Sequence, residues 1–356
     1  MKLRVLFFCG DKSPYGLSHL IQILKSRFNV VAVVIPTKDR WWYFREALLG
    51  KSYYKTKSER ILMEIVKAII MRLVPAQIIR LIRKGYKKDK DVNIVNILGA
   101  HDIPLIRVFD VNGKGFIRKV KEINPNLILS AAYPQIFSKD LISVPSKGSV
   151  NFHPSLLPKY RGAHPHFWAI VKGEKIGGIT AHFMTENIDD GDIISQIEFP
   201  IENYTYSELY EKIIQETPNI VRAVEKFFEE DEAKTRPQNS AEASYFRNDR
   251  DIHKRIFWNI HSAEEIRNLC RTEQAFCFFR NTKVYCMKAY MTTSNRNLTN
   301  NVRIENGTII DINKDAAVVK TKDACINIQE FEENGKRLSF KKWAEKHKVN
   351  IGEKFG

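Results

Sequence analysis

The chain has 356 residues, too long for one ordinary domain and short for three, and its 44% hydrophobic and 28% charged content excludes bulk disorder. Its 57 Lys and Arg against 41 Asp and Glu leave a net charge of +16, which favours anionic company: nucleic acid, phosphorylated metabolites or a lipid surface. Five cysteines, an odd number with no CxxC pair, argue against a disulfide framework or a zinc ribbon, and no run of ~20 apolar residues offers a membrane span.

The run from Met1 to Gly10 is broken by Asp11 and Lys12 and lacks a signal peptide's cleavage site, so a cytoplasmic protein with core thiols is expected. Residues 3–8 read as a buried strand, 16–27 as a helix, and Asn29 to Ile35 as a valine-rich strand. Strand, helix, strand is a βαβ opening and predicts a parallel sheet with right-handed crossovers. Between about 36 and 100 the rhythm breaks, and it resumes with a strand near 103–108. A helix near 115–122 and strands at 127–132, 148–152 and 178–184 follow. Thr205 and Glu208 have capping-box spacing for a helix to Gln215, and Pro218 opens another that ends in acidic residues 229–232.

Residues 231–246 are polar and read as a linker. Beyond it, Ser262 and Glu265 form a second capping box for a helix to Arg271. Five short strands are expected at about 275–280, 283–290, 307–312, 316–320 and 324–329, with turn signals at Arg280-Asn281 and Asn306-Gly307. Such a series suggests a small OB-like barrel. The fold class is therefore α/β: a parallel-rich domain over 1–230 with an insertion at about 36–100, the linker 231–246, the OB-like domain 247–335 and a tail 336–356.

The chemistry gathers in Asn151-Phe152-His153-Pro154-Ser155-Leu156-Leu157-Pro158-Lys159-Tyr160-Arg161-Gly162 and in the turn Asp189-Asp190-Gly191-Asp192. Asn151 and His153 sit two apart at a strand end, so both side chains leave on one face. The Gly-permitted turn supplies carboxylates that could meet the histidine. A histidine whose pKa is held up by a carboxylate accepts protons near neutral pH, and an amide N–H₂ can donate to a forming oxyanion. Direct acyl transfer to an amine fits that inventory. Each residue alone has a structural reading, the histidine as a satisfied core residue and the aspartate as an Asx cap; the combination carries the chemistry. His164 and His166 have no carboxylate at ligand spacing, so no metal is expected.

The run N-x-H-P-S-L-L-P-K-Y-R-G with its downstream D-x-G-D turn resembles the 10-formyltetrahydrofolate-dependent formyltransferases, a family that includes methionyl-tRNA, sugar N- and glycinamide ribonucleotide formyltransferases. The resemblance implies a Rossmann-like formyltransferase domain and places the catalytic trio on Asn151, His153 and Asp189. It implies that Asn151 and protonated His153 stabilise the oxyanion while Asp189 orients the ring. It puts the formyl donor, 10-formyltetrahydrofolate, against Tyr133, Ile136, Phe137, Leu156 and Ile188. Arg161 and Ser155 would face an anionic acceptor.

By the resemblance, a glycinamide ribonucleotide enzyme would be about the length of the first domain only, which argues against that acceptor, and the OB-like region does not separate the remaining ones. The family's basic tRNA-contacting loop is not recognisable in 36–100, where Arg40-Trp41-Trp42-Tyr43-Phe44-Arg45 and an amphipathic segment stand instead. Residues 51–90 hold twelve basic residues against three acids, a surplus of nine in one stretch. That segment reads as a helical pair with a solvated basic face, as a peripheral platform for an anionic membrane, or as a tRNA contact. Together with Tyr245-Phe246-Arg247 and Ile256-Phe257-Trp258, which look more like the sugar-type enzymes, the missing loop favours a phosphorylated or nucleotide- or lipid-linked amino sugar as acceptor. The alternatives are initiator Met-tRNA and a non-catalytic RNA- or membrane-binding protein of this fold.

Overall fold

The protein's structure is a computed structural model that describes residues 2–37, 94–230, 232–292 and 304–356. The basic stretch 51–90, with the helical, membrane and tRNA readings attached to it, lies outside the described residues. Elements are numbered among those described. The chain forms two compact units, Met1–Asn151 and Phe152–Gly356.

The first unit is built on strands β1 (Arg4–Cys9), β2 (Asn29–Pro36), β3 (Leu105–Val108), β4 (Leu127–Ala131) and β5 (Ser149–His153), in the order β3-β2-β1-β4-β5. The unit boundary falls inside β5. β1 pairs parallel with both β2 and β4, and Val5 to Cys9 are fully buried between them. A strand covered on both faces reads as a continuous apolar run, which is why it is legible without alternation.

Helix α1 (Pro14–Lys25) begins two residues before the expected start. Ser13 Oγ accepts from the Gly16 N–H at 3.1 Å and Pro14 occupies the first turn, a start signal that outweighs apolar spacing. Gly16 permits the close seat of α1 on β1, because a Cβ there would come within 2.7 Å of Cys9 Cβ. Among its described residues the unit also holds helices α2 (Ile94–Ala100), α3 (Lys114–Ile123) and α4 (Lys139–Ile142), and α3 ends on Asn124 in the left-handed region at φ 50°.

The second unit continues from β5 through β6 (Arg161–Gly162), α5 (Pro165–Val171), β7 (Ile176–Phe183) and β8 (Ile193–Pro200), the last two an antiparallel pair. β8 is unanticipated, since Ile193-Ile194 reads as the end of the aspartate turn. Helices α6 (Tyr206–Gln215) and α7 (Thr217–Glu229) follow, and the expected Thr205–Glu208 capping box forms.

The polar segment after α7 is laid along this unit. Arg236 and Ile193 exchange backbone hydrogen bonds of 2.8 and 2.9 Å, and β9 (Tyr245–Phe246) pairs with β6. Next come α8 (Asp251–Lys254) and α9 (Ala263–Arg271), the latter opened by the Ser262–Glu265 box. Arg271 donates to the carbonyls of Tyr204 and Ile201 at 3.0 and 2.8 Å, and α9 packs on α5.

Among the described residues the terminal region holds six antiparallel strands: β10 (Phe276–Phe279), β11 (Thr282–Met291), β12 (Ile309–Ile312), β13 (Ala317–Lys320), β14 (Cys325–Glu333) and β15 (Lys336–Ser339). The order is β10-β11-β14-β13-β12, with β15 on β14. Arg280 and Asn281 both take positive φ, which makes the tight hairpin turn that their sequence signals.

Residues 336–356 are not a tail. They supply β15, helix α10 (Phe340–His347) and a closing segment. Glu353 O accepts from Ile309 N at 2.8 Å, while Gly356 and Phe278 exchange bonds of 2.8 and 3.0 Å, so the last residues join the β12 and β10 edges. Phe340, Trp343 and Phe355 are buried in the barrel core, with Trp343 stacked on Phe331 at 4.2 Å between centroids. The reason is apolar demand: a small curled sheet needs large side chains to fill it, and three of them come from this stretch.

All five cysteines are buried and free, as core thiols should be. Burial pushes the Cys9 thiol up to about 12. Among the described residues no helix is long and apolar enough to cross a membrane.

Candidate functional site

Strand β5 ends at His153, and the turn that follows folds its ring into the second unit, where it is 4% exposed. Its Nε2 lies 2.8 Å from the Tyr160 carbonyl, and its Nδ1 lies 3.5 Å from Oδ2 of Asp189. The other oxygen of Asp189, Oδ1, stands 3.5 Å from Nε2 of His182, whose Nδ1 bonds the Phe183 carbonyl at 2.8 Å. One carboxylate thus sits between two imidazoles. Gly162 in β6 adds a backbone N–H to Asp189 Oδ2 at 2.9 Å.

The aspartates of the turn divide by role. Asp189 takes a left-handed backbone at φ 52° and turns towards the histidines. Asp190 closes the turn on Thr185 and Asn187, and Asp192 accepts from Thr235 Oγ1 at 2.8 Å. Gly191 is required, because a Cβ there would fall 2.0 Å from the Phe183 carbonyl oxygen.

Burial raises a carboxyl's pKa, but at Asp189 the charge of His153, the contact with His182 and the Gly162 N–H outweigh it. The group is held below the ordinary carboxylate range. At His153 burial dominates and lowers the pKa from 6.5. Asp189 and the Tyr160 carbonyl pull upward without overcoming it, and His182 adds to the lowering. This corrects the expectation of a raised, protonated His153: loss of water around the ring exceeds the pull of one carboxylate. The resting ring is neutral at pH 7, with acceptors already in place for the cation it becomes on taking a proton.

Asn151 is the last residue of the first unit, two positions before His153 on the same strand, so the two side chains leave β5 on one side. Tyr133 and Phe137 belong to the first unit's loop after β4, where they form an aromatic cluster with Phe8. Phe137 is 2% exposed and serves the core, whereas Ile136 is 62% exposed. Gln135 fixes this loop by donating to the Phe109 carbonyl at 2.7 Å and accepting from Val111 N at 3.1 Å. Burial, with Cys9 beside it, raises the Tyr133 hydroxyl's pKa, and that hydroxyl has no hydrogen-bond partner.

In the second unit, Ile188 lies half-buried in the loop before Asp189. Ser155 donates its hydroxyl to the Lys159 carbonyl at 2.9 Å, which stabilises the turn. The guanidinium of Arg161 donates to Gln238 Oε1 from Nε and Nη2 at 3.1 and 2.8 Å. A cavity of about 450 Å³ is lined by Ser155, Leu156, Lys159, Tyr160, His166 and Glu174 among others. It lies at the Ile176 end of β7, the opposite end from His182. His166 bonds Tyr206 Oη at 2.8 Å, and His164 pairs with Asp249. Among the described residues no group of side chains could hold a metal ion.

Two residues of the cluster escaped sequence reasoning. His182 shares a face of β7 with Thr180, which donates to the Ser155 carbonyl, so period-two alternation was a usable signal. Gln238 had none: it reaches Arg161 across 77 positions of sequence.

Residues 107–224 match the family described as formyl transferase, and residues 251–348 match the formyl transferase C-terminal domain. The chain is 33% identical over 281 residues to the methionyl-tRNA formyltransferase of Clostridioides difficile, covering 76% of this chain and 87% of that protein. In fold it is similar to HypX from Aquifex aeolicus, solved in complex with tetrahydrofolic acid, with a TM-score of 0.50 and 18% identity over 72% of this chain; it spans 45% of HypX's length. It is also similar to an N-formyltransferase from Helicobacter canadensis, solved with folinic acid and dTDP-3-aminofucose. There the TM-score is 0.58 at 18% identity, covering 92% of this chain and 99% of that one.

Proposed function

This chain belongs to the formyl transferase family, and on that premise we propose that it moves a formyl group from 10-formyltetrahydrofolate to a primary amine, with Asn151, His153 and Asp189 as its working residues. The observation that carries the reading is the carboxylate of Asp189, 3.5 Å from Nδ1 of a buried His153 that follows Asn151 on one strand. The donor is a substrate that supplies a carbonyl carbon bonded to a nitrogen leaving group. Asn151 donates from its amide to the carbonyl oxygen as that oxygen gains charge. His153, neutral at rest, takes the proton that the attacking amine loses, and Asp189 stabilises the resulting imidazolium. The proton then passes from His153 to the departing nitrogen, which leaves the ring neutral again.

The partnerless, buried Tyr133 hydroxyl is the kind of group that a polar heterocycle satisfies, and Ile136, in the same loop, offers an exposed apolar side chain. Tyr133 and Ile136 are therefore assigned to the donor, whereas Leu156 and Ile188 are assigned to it by the family resemblance alone. Phe137 acts by holding the loop.

For the acceptor we favour initiator Met-tRNA. The support is identity to a methionyl-tRNA formyltransferase that extends over most of that protein's length. The amino-sugar reading rested on the unrecognised loop in 36–100, mostly outside the described residues, on Tyr245-Phe246-Arg247 and on Ile256-Phe257-Trp258, of which Ile256 and Trp258 are buried in the terminal core. Phe246, however, stacks between Tyr160 and Trp168 at 5.3 and 4.9 Å, a structural use.

The test is release of tetrahydrofolate from 10-formyltetrahydrofolate by the full chain, with charged initiator tRNA and separately with a panel of nucleotide-linked amino sugars. Release with the tRNA, lowered about 10²–10⁴-fold in kcat by His153→Ala, is the expected result. Release with amino sugars alone overturns the acceptor, and undiminished activity in His153→Ala overturns the mechanism.

A further inference from the structure

Gln238 lies in the polar segment between the two family-matched regions, and its carboxamide is fully used. Oε1 accepts from Nε and Nη2 of Arg161 at 3.1 and 2.8 Å. Nε2 donates to the carbonyls of Asp189 and Gly191 at 2.9 and 2.7 Å. A primary amide has two N–H donors and two acceptor lone pairs, so all four are engaged.

The two donated bonds hold the Asp189–Gly191 turn. Asp189 is gripped at its main-chain carbonyl by Gln238 and at its carboxylate by the N–H of Gly162, the neighbour of the same Arg161. A non-glycine residue in the left-handed region persists only where its surroundings over-determine it, and Asp189 stands at φ 52°. The segment that carries Gln238 is itself anchored on both sides, by Arg236 on Ile193 and by β9 on β6.

We propose that Gln238 is a positioning residue for the formyl-transfer site, holding the Asp189–Gly191 turn so that the Asp189 carboxylate faces His153. The inference rests on the function proposed above. Without the carboxamide donors the turn relaxes, and the carboxylate loses its aim without leaving the site.

The experiment compares Gln238→Leu and Gln238→Glu with the wild-type full chain. Leucine removes all four bonds at similar size. Glutamate keeps the acceptor for Arg161 but replaces the two donors with charge facing two carbonyls. Both variants should lower kcat by about 10–100-fold, as small misplacements of a catalytic group do. KM for the donor should stay within about twofold, the proportion that separates loss of positioning from loss of binding. The NMR titration of the His153 ring should move downward, because the raising influence of Asp189 weakens.

Wild-type kcat in Gln238→Glu would transfer the role to Arg161 and overturn the proposal. So would kcat loss that merely follows loss of folded protein across both variants, or an unmoved His153 titration in a folded variant. A wild-type chain that releases no tetrahydrofolate with any acceptor defeats the formyl-transfer reading instead, and the His153 titration still decides the role of Gln238.

Discussion

His182 Nε2 stands 3.5 Å from Oδ1 of Asp189, on the far side of the carboxylate from His153. The aspartate is therefore shared, and its hold on His153 depends on a second ring that touches no substrate in the proposed reaction. His182 bears on both partners: its contact and charge lower the Asp189 pKa, and its charge lowers that of His153 directly.

His182→Gln should therefore raise the pKa of His153 and shift the acid limb of the kcat/KM profile to higher pH. In the wild type that limb should lie below pH 6.5, because burial lowers His153 from that value and the neutral ring is the active form. A kcat loss of roughly tenfold is expected for the variant, at the low end for general acid–base groups because the residue acts at one remove. Rate measurements from pH 5 to pH 9 check both statements. A wild-type limb centred above 6.5 would contradict the neutral resting ring.

Stability should fall on acidification through a different histidine. Burial drives the His166 pKa down to about 3 from 6.5, with His164 and His153 adding to the effect. His166 stays neutral in the folded chain while the unfolded chain takes up a proton below pH 6.5. The stability it contributes is complete above that pH and is lost as pH falls towards 3, at about 1.4 kcal/mol per pH unit at most. Thermal midpoints between pH 8 and pH 5 should decline accordingly. His166→Gln, which keeps a donor for Tyr206, should lessen the slope; an unchanged slope would place the acid sensitivity elsewhere, for instance in His19, lowered to about 4 by burial.

The closing segment predicts that the terminal barrel depends on its last residues. Trp343 packs on Phe331, Phe279 and Phe355 with no exposed surface. Trp343→Ala should cost about 3–5 kcal/mol by the cavity it leaves. Truncation after Asn350 should also destabilise the region, because it removes Phe355 and frees the β10 and β12 edges that residues 352–356 join. Urea unfolding followed by tryptophan fluorescence reads the first change. A truncated chain with an unaltered midpoint would refute the second.

How much was legible follows from the range of each interaction. Strands β1, β2 and β4 announced themselves because a buried parallel strand is a contiguous apolar run. Both capping boxes were legible because a Ser or Thr and a Glu three residues on satisfy one another within a single turn. β8 and the closing segment were not legible, since their stability comes from partners far along the chain. The 336–356 stretch looked polar in sum, yet it delivers three aromatic side chains to the barrel core.

The site divides the same way. By itself the sequence determined the inventory: Asn151 and His153 on one strand face, a glycine-permitted aspartate turn, five core thiols and the family these residues resemble. Local spacing suffices for the strand pair and for the turn, because each of these is written within a few consecutive residues. Only the tertiary structure decided the protonation of His153, since burial is a property of everything packed around the ring, and it reversed the expected direction. It also decided that Asp189 serves two histidines and that Arg161 is held by Gln238. Those contacts join positions that only folding brings within hydrogen-bond reach, where removal from water sets how strongly each charge is felt.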